Sequence, residues 1–471
     1  MPSRPRVRGP AEVNDMKSII VGGGKIGFAL ASNLCQEGHV VTVIDKDRSR
    51  LDLMEEHLNI NPVHGNAAKL ETLSEADVSN TDLIIAVTDK DELNMVTCFL
   101  AHRAGVKSAV ARVRAPGYSD LNNSEALSAL GIDMLINPEK VTAQEIAKLI
   151  RYPEANHVAY LDGGQLAIME LRLSERCSRL DVPLSELRCP VPCIIMGIEH
   201  EGQLIIPRGG DRLSAGDDVL LLTASKDIRT VEDYLDIDPR YPHNIAILGG
   251  GLVGYYLTEI LDKSDRNYNV KIFEPDKEQS EELAALFPHT TVINCSSETA
   301  ISMFEDENVG ECDLMIAASE DDKVNLFACV VADHLGAGKT ISQVRGEYAR
   351  LIEGTVATDK VVSPNRLTLN TILSFINRSR MLSLTRFVDM PGQITEFLVP
   401  PGAPAVGRCI KDIHMPLDAL ICMIIRNDRH LIPGGDDRIM AGDSVIVFSL
   451  PEAMEKVEQL LTSDRNSRRE D

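Results

Sequence analysis

The sequence predicts an α/β protein with two tandem Rossmann-like parallel-sheet domains, each followed by a small α+β domain. Three observations lead to this prediction. Short apolar runs alternate with helical segments, a glycine-rich turn follows the first of these runs, and both features occur twice along the 471 residues. Apolar strands that alternate with helices are typical of a parallel sheet covered on both faces.

The duplication is visible in several motifs that recur in the same order. The turn GGGKIG at 22–27 returns as GGGLVG at 249–254, and TDKDELN at 88–94 returns as SEDDKVN at 319–325. A Pro-x-x-x-Asp motif followed by Ala-Gly-Asp also occurs twice. Motifs that keep their order and spacing over so long a stretch indicate an internal repeat. We therefore predict domains N1, C1, N2 and C2 at residues 16–152, 153–232, 233–380 and 381–464, with a disordered tail at 1–15 and a second tail at 465–471.

The N domains show the pattern of alternating strands and helices. In N1, Lys17–Val21 is an apolar run that enters the glycine turn, and residues 26–38 have a helical pattern that ends on a glycine suited to a C-cap. Further strands are predicted at 39–44, 83–87 and 108–113. Amphipathic helices are predicted at 141–151, where Pro153 follows as a stop signal, and at 367–380.

The C domains are shorter and richer in predicted strands. In C1, runs of strand length occur at 166–173, 194–198 and 218–222. The Ala-Gly-Asp motif predicts a tight turn that enters the last of these strands. We therefore interpret its aspartate as a turn residue rather than a ligand.

The glycine turn of N1 stands in the context of a dinucleotide-binding fingerprint. It follows a strand, opens a helix and precedes a second strand that ends in Asp45. In this fingerprint Gly22 allows the tight turn, Gly24 lets a pyrophosphate approach the backbone, and Gly27 permits close packing of helix on strand. The helix N-terminus receives the phosphate. Asp45 is suited to ribose hydroxyls, which favours NAD or an adenosine nucleotide over a 2′-phosphorylated cofactor.

N2 keeps the framework of this fingerprint but has lost other residues. Its glycines and its acidic residue are Gly249, Gly251, Gly254 and Glu274. Leu252 stands where N1 has Lys25, and Gln343 stands where N1 has Arg112. The sequence leaves three interpretations open: N2 binds a different nucleotide, binds one weakly, or no longer binds one.

Composition argues against several other classes of function. The net charge of −23 is unsuited to nucleic-acid binding, which needs a basic face. No stretch approaches the ~20 apolar residues that cross a bilayer, and the first residues lack the apolar segment of a signal peptide. The ten cysteines show no metal-binding spacing. We expect a cytoplasmic protein with no nucleic acid, no metal and no direct membrane insertion.

The sequence shows no recognisable set of catalytic residues beside the nucleotide fingerprint. Nucleophile elbows, zinc-protease pairs and kinase signatures are absent from the sequence. A dehydrogenase usually takes its acid, base and orienting groups from a distinct substrate domain, whereas here the partner domains are copies of each other. We therefore predict a binding protein rather than an enzyme, and keep an NAD-dependent oxidoreductase as the alternative.

Together these motifs resemble the RCK (KTN) family, in the form of the regulatory subunits of Trk-type potassium uptake systems. The likeness extends over nearly the whole chain, in both copies. In N1 it is carried by the motifs at 22–27 with Asp45, 86–88 with Asp91 and Asn94, 111–114, and 137–139.

The resemblance implies a homo-oligomer, typically a tetrameric ring, at the inner face of the cell membrane beneath a potassium transporter subunit of TrkH type. It implies that NAD(H) and/or ATP/ADP bind the N domains and that the shape of the ring gates the transporter. A regulator of another cation transporter or antiporter is the alternative within the family.

The resemblance also implies the residues of the binding sites. Phosphates would bind at the glycine turn with Lys25, the ribose at Asp45, and the adenosine end at Asn66 and Thr88. Arg112 and Arg114 would reach phosphates from the same site or from a neighbouring subunit. Asn66, where the family often has Asp, and Cys295, where it has Gly, depart from the pattern. The full predicted set is Gly22, Gly23, Gly24, Lys25, Ile26, Gly27, Asp45, Lys46, Asn66, Ala67, Thr88, Asp89, Arg112 and Arg114 in N1, and Gly249, Gly251, Leu252, Val253, Gly254 and Glu274 in N2.

Overall fold

The computed structural model describes most of the chain. The described residues are 16–119, 124–161, 164–200, 202–238, 240–346, 349, 358–377, 383–386, 392–427 and 429–462. Both predicted tails, and the last three residues of the helix predicted at 367–380, lie outside them.

N1 is built on a six-stranded parallel sheet with strand order β3-β2-β1-β4-β5-β6. Its strands are β1 (Lys17–Val21), β2 (Val40–Asp45), β3 (Ile60–His64), β4 (Leu83–Ala86), β5 (Ser108–Arg112) and β6 (Met134–Ile136). Its helices are α1 (Lys25–Gln36), α2 (Arg48–His57), α3 (Leu70–Glu75), α4 (Asp91–Arg103), α5 (Pro116–Ser119), α6 (Ser124–Ala129) and α7 (Pro138–Arg151). The order of strands reverses between β1 and β4, and this switch point is where open α/β sheets bind their ligands.

The helix predicted at 141–151 begins three residues earlier, at Pro138. The Asn137 side chain accepts a hydrogen bond from the Lys140 N–H at 2.9 Å, as an N-cap residue does. Proline is tolerated in the first turn because its missing N–H has no intrahelical partner there. The Asn-Pro-Glu motif is therefore the start signal of α7, which the search for amphipathic periodicity did not detect.

In its described residues, C1 is a five-stranded antiparallel sheet with one short α-helix. Its strand order is β10-β9-β11-β8-β7. The elements are β7 (Ala155–Leu161), β8 (Leu166–Arg172), β9 (Cys193–His200), β10 (Gln203–Ile205), β11 (Asp218–Ala224) and α8 (Ile228–Tyr234).

N2 repeats the sheet of N1, with order β14-β13-β12-β15-β16-β17, and all five pairs are parallel. Its strands are β12 (Asn244–Leu248), β13 (Asn269–Glu274), β14 (Thr291–Asn294), β15 (Leu314–Ala317), β16 (Thr340–Gln343) and β17 (Lys360–Val362). Its described helices are α9 (Leu252–Asp262), α10 (Lys277–Leu286), α11 (Ser297–Ser302), α12 (Asp322–Leu335) and α13 (Pro364–Asn377).

C2 repeats the antiparallel sheet of C1, with order β18-β19-β22-β20-β21. Its elements are β18 (Ser383–Arg386), β19 (Gln393–Leu398), β20 (Ala419–Arg426), β21 (Arg429–Leu431), β22 (Ser444–Ser449) and α14 (Met454–Leu461). The sheets of C1 and C2 share one apolar core, in which Ile168 and Leu220 pack with Met423 and Phe448.

The Ala-Gly-Asp motif forms a turn in both C domains, as predicted. Gly216 has φ +88° and Gly442 has φ +85°, a backbone conformation that favours glycine. The following Asp217 and Asp443 accept backbone N–H groups from three residues earlier, each at 2.7 Å. Both aspartates are therefore engaged in closing a turn.

By compactness the chain divides into two units. The first comprises Met1–Thr142, Val344–Ala349 and Ser363–Leu373, and the second comprises Ala143–Gln343, Arg350–Val362 and Ser374–Asp471. The first unit thus combines N1 with two short segments of N2, one of which is the start of α13. None of the helices that the structure describes is both long enough and apolar enough to cross a bilayer.

Candidate functional site

A cleft of about 520 Å³ lies at the carboxyl ends of the N1 strands, at the switch point between β1 and β4. Most of the residues predicted for N1 line it. They are Gly22, Gly24, Lys25, Ile26, Asp45, Lys46, Asn66, Ala67, Thr88, Asp89 and Arg112. The predicted residues Gly23, Gly27 and Arg114 do not line the cleft. Arg50, Lys90 and Asn365 line it and were not among the predicted residues.

The three glycines of the fingerprint are required for different reasons. Gly22 has φ +106°, and its N–H donates to the Ile44 carbonyl oxygen at 2.8 Å. A Cβ on Gly27 would overlap the Gly22 carbonyl oxygen, so only glycine lets α1 approach this turn. A Cβ on Gly24 would meet no atom within 4 Å. No packing contact within the protein requires glycine at position 24. The side of the turn at Gly24 is open, so a ligand can approach the backbone there.

Asp45 ties the glycine turn to the loop after β2. Its Oδ2 accepts the Gly23 N–H at 2.6 Å and its Oδ1 accepts the Asp47 N–H at 2.8 Å. The carboxylate is largely buried and lies 3.8 Å from the Arg50 guanidinium. A carboxylate has about four acceptor positions, so two stay available for ligand hydroxyls. Asp45 therefore both holds the turn and presents acceptors to the cleft.

The start of α1 presents a positive end to the cleft. The helix begins at Lys25 with Gly24 as N-cap, no side chain caps it, and its first turn contains no acidic residue. The first N–H groups of a helix have no intrahelical acceptor, and the helix dipole adds a partial positive charge there. This end of α1 is therefore suited to an anion such as a phosphate.

Arg112, the last residue of β5, brings a partly buried guanidinium to the same cleft. One of its terminal nitrogens donates to the Thr88 carbonyl oxygen at 3.2 Å. Its Nε is buried and has no hydrogen-bond partner among the described residues. Burial lowers the pKa of Arg112, while the nearby Glu139 carboxylate acts in the opposite direction. A buried cationic donor without an acceptor is costly, and an anionic ligand in the cleft would supply one.

Arg114 has a different environment from Arg112. Its Nε donates to Glu139 Oε1 at 2.8 Å, and its backbone N–H donates to Asp91 Oδ2 at 2.9 Å. The Arg114 side chain is therefore committed to an ion pair within the first unit and does not line the cleft.

Asn94, which recurs as Asn325 in the second repeat, has a structural role. Asn94 is fully buried; its Oδ1 accepts from the Thr88 N–H at 3.0 Å and hydroxyl at 2.7 Å. Its Nδ2 donates to the carbonyl oxygens of Thr88 and Arg112 at 3.1 and 2.9 Å. Asn94 thus joins the loop after β4 to the end of β5 and fixes two residues of the cleft.

N2 reproduces this framework. Glu274 accepts the Gly250 N–H at 2.6 Å and the Asp276 N–H at 2.9 Å. Asn325 is buried and accepts the Ser319 N–H at 2.9 Å, as Asn94 does for Thr88. Gly249 has φ +104°, and a Cβ on Gly254 would overlap its carbonyl oxygen. Leu252 and Val253 begin α9, with Gly251 as N-cap.

The two glycine turns differ in the cationic residues around them. The cationic residues that line the N1 cleft are Lys25, Lys46, Arg50, Lys90 and Arg112. The residues at the corresponding positions of N2 are Leu252, Pro275, Gln279, Asp321 and Gln343. Gln279 donates to the Gly250 carbonyl oxygen at 3.1 Å, and Gln343 donates to the Ser319 carbonyl oxygen at 3.3 Å. N2 therefore keeps the backbone framework of the site without the cations that would neutralise a phosphate.

Two domain families match the chain. The TrkA-N domain family matches residues 18–138 and 245–364, and the TrkA-C domain family matches residues 168–236 and 394–462. These four matches cover more than half of the chain. The chain belongs to the TrkA family. The predicted resemblance and the predicted fold class, with two N and two C domains, are confirmed.

TrkA-family relatives match along nearly their whole length. A Trk system potassium uptake protein TrkA homolog of Archaeoglobus fulgidus is 32% identical over 446 residues, which are 94% of this chain and 100% of the relative. The Trk system potassium uptake protein TrkA of Halomonas elongata is 31% identical over 441 residues, covering 92% of this chain and 95% of the relative.

Solved structures show the same fold at lower identity. The crystal structure of the GsuK RCK domain has a TM-score of 0.61 and 18% identity, and covers 98% of both chains. The GsuK channel bound to NAD has a TM-score of 0.63 and 18% identity, and covers 97% of this chain and 81% of that one. At this level of identity, the likeness shows that the chains share a fold and nothing further.

Proposed function

We propose that this chain is the nucleotide-binding regulatory subunit of a membrane potassium uptake system, and that the N1 cleft is its sensory site. The observation that carries the proposal is the buried Nε of Arg112, which has no acceptor among the described residues and belongs to a side chain lining the cleft. The same cleft contains the uncapped start of α1. Both features favour a ligand that carries phosphate.

The ligand is NAD(H) or an adenine nucleotide. Asp45 supplies acceptors for ribose hydroxyls at the end of β2, where the dinucleotide fingerprint requires an acidic residue. The cleft, at about 520 Å³, lies within the range of small-molecule sites. The GsuK channel, which shares the fold, has been solved bound to NAD, and NAD is therefore the first ligand to test.

The ligand acts as an effector rather than as a substrate. No histidine, cysteine or tyrosine is among the described residues that line the cleft. The carboxylate of Asp45 is engaged with two backbone N–H groups, which leaves it poorly placed as a general base. An effector works by binding two conformations with different affinity, and couplings of about 1–3 kcal/mol are usual.

The names of the relatives support a proposal for the partner. The relatives are called Trk system potassium uptake proteins. We propose a homotetrameric ring at the cytoplasmic face of the membrane that gates a transporter subunit of TrkH type. Copurification of the tagged chain with a potassium transporter supports this partner, whereas copurification with a cation antiporter supports the alternative regulator.

Calorimetric titration of the purified chain with NAD⁺, NADH, ATP and ADP tests the sensory site. We expect at least one of these ligands to bind, with one site per chain, because N2 lacks the five cations of N1. Two sites per chain would show that the glycine framework of N2 suffices. No binding at millimolar ligand would overturn the proposal. Steady consumption of NADH with a cosubstrate would favour the oxidoreductase instead.

A further inference from the structure

Asn365 is the one residue from N2 among the described residues that line the N1 cleft. It lies in the first turn of α13, and residues Ser363–Leu373 belong to the same compact unit as N1. Every other lining residue comes from N1 itself. The ligand site of the first repeat is therefore completed by a side chain of the second.

A hydrogen bond to the backbone holds the Asn365 side chain in place. Its Nδ2 donates to the Arg345 carbonyl oxygen at 2.8 Å, and Arg345 belongs to the other N2 segment of this unit, Val344–Ala349. The first intrahelical hydrogen bond of α13 runs from the Leu367 N–H to the Ser363 carbonyl oxygen at 3.0 Å. Asn365 thus lies within the first turn, where the helix dipole contributes a partial positive charge. Its amide retains a second N–H for a ligand oxygen.

The repeat itself shows that the amide is suited to this place. The equivalent residue in N1 is Glu139, whose Oε1 accepts from Arg114 Nε at 2.8 Å and which is buried. A carboxylate at position 365 would add a negative charge to a cleft that contains five cations and the start of α1. That charge would repel a phosphate, whereas an amide can donate to it. The residue that reaches the N1 cleft is the neutral one.

We propose that Asn365 donates a hydrogen bond to a phosphate oxygen of the nucleotide bound in N1. The inference rests on the proposed function, since it requires a phosphate-bearing ligand in this cleft. Through this contact the ligand joins N1 directly to the first turn of α13. A nucleotide bound in N1 would then contact α13, a helix of N2, directly.

The test compares Asn365→Asp with Asn370→Asp in the full chain. Both variants make the same chemical change on α13, but Asn370 does not line the cleft. With NADH as the probe, we expect the affinity of Asn365→Asp to fall about 10-fold or more, and that of Asn370→Asp to stay within about 2-fold of the wild type. Asn365→Ala serves as a second variant if the aspartate prevents folding, and should lose about 10-fold.

Adenosine, which has no phosphate, is the second probe. If Asn365 contacts phosphate, Asn365→Asp should lower the affinity for NADH and for ADP while leaving the affinity for adenosine unchanged. Equal losses for all three ligands would mean a general distortion of the cleft and would overturn the inference. Unchanged NADH affinity in Asn365→Asp and Asn365→Ala would overturn it too, while the proposed function would stand. If the wild-type chain binds none of these ligands, the proposed function and the inference fail together.

Discussion

Asp45 and Glu274 make the same pair of hydrogen bonds in the two repeats. Each carboxylate accepts the N–H of the middle glycine of its turn, at 2.6 Å in both cases, and the N–H two residues further along the chain, at 2.8 and 2.9 Å. The acidic residue of the fingerprint thus stabilises the glycine turn in N1 and N2 alike. Comparing the two repeats separates this structural role from the proposed role in binding a ligand.

Replacing each carboxylate by its amide makes that separation. Asp45→Asn and Glu274→Gln each leave one backbone N–H without a good acceptor, which should cost about 1–3 kcal/mol of stability. We expect the unfolding temperature to fall by a similar amount in both variants. Only Asp45→Asn should also weaken nucleotide binding, by about 10-fold, as measured by calorimetry. Equal losses of affinity in the two variants would contradict the assignment of the ligand to N1.

Gly24 and Gly27 provide a second matched pair. Gly27→Ala places a methyl group against the Gly22 carbonyl oxygen, so it should destabilise the chain by about 1–3 kcal/mol. Gly24→Ala meets no protein atom within 4 Å, so it should leave the unfolding temperature nearly unchanged. Its methyl group would nevertheless occupy the place where the pyrophosphate approaches the backbone. Normal nucleotide affinity in Gly24→Ala would argue against that approach.

Arg112→Gln introduces the residue that N2 has at the same place. In N2, Gln343 still donates to the carbonyl oxygen of Ser319, so the glutamine can keep the loop contact in N1. We expect nucleotide affinity to fall about 10- to 100-fold with little change in the unfolding temperature. Gln343→Ala is the control and should not change the affinity. If Arg112→Gln binds nucleotide as tightly as the wild type, the Arg112 guanidinium does not contribute to nucleotide binding.

A fourth prediction concerns Glu170 in C1. Burial, together with the nearby Asp218 carboxylate, raises the pKa of Glu170 to about 7. The Asn156 amide lies between the two carboxylates, 2.8 Å from Asp218 and 3.4 Å from Glu170, and its oxygen accepts from Lys360 at 2.5 Å. The folded chain therefore holds a proton on Glu170 that the unfolded chain releases near pH 4.5.

Because the folded state binds this proton more tightly, the contribution of Glu170 to stability falls as pH rises from about 4.5 through 7. Glu170→Gln resembles the protonated form at every pH. We expect its unfolding temperature to exceed that of the wild type at pH 8 and to match it near pH 4.5. A difference between variant and wild type that does not depend on pH would contradict this assignment.

The fold and the centre of the site were accessible from the sequence because their signals are local. Strand β1, the glycine turn and the acidic residue of β2 lie within thirty residues of each other, and each has a backbone reason to be present. The repeat confirmed the pattern by showing it twice. The exact start of α7 was missed because its signal is an N-cap and a proline rather than apolar periodicity.

The rest of the site depends on contacts between distant parts of the chain. Arg50 was missed because it belongs to no repeated motif, and Lys90 was missed because its motif at 88–94 does not show which of its side chains face the cleft. Asn365 comes from the other repeat, so no search within N1 could find it. Arg112 and Arg114 are two residues apart in one motif, and the ion pair of Arg114 with Glu139, which the motif does not reveal, is one of the contacts that distinguish their environments.

The difference in charge between the two glycine turns has a consequence for how such a protein can evolve. When a ring is made of identical chains with a single repeat, any mutation alters every cleft at once. Here the two repeats are fused in one polypeptide, so N2 could exchange five cations for neutral or acidic residues while N1 kept all of them. Fusion thus allows one repeat to keep a cationic cleft while the other loses it, at a fixed ratio of one to one.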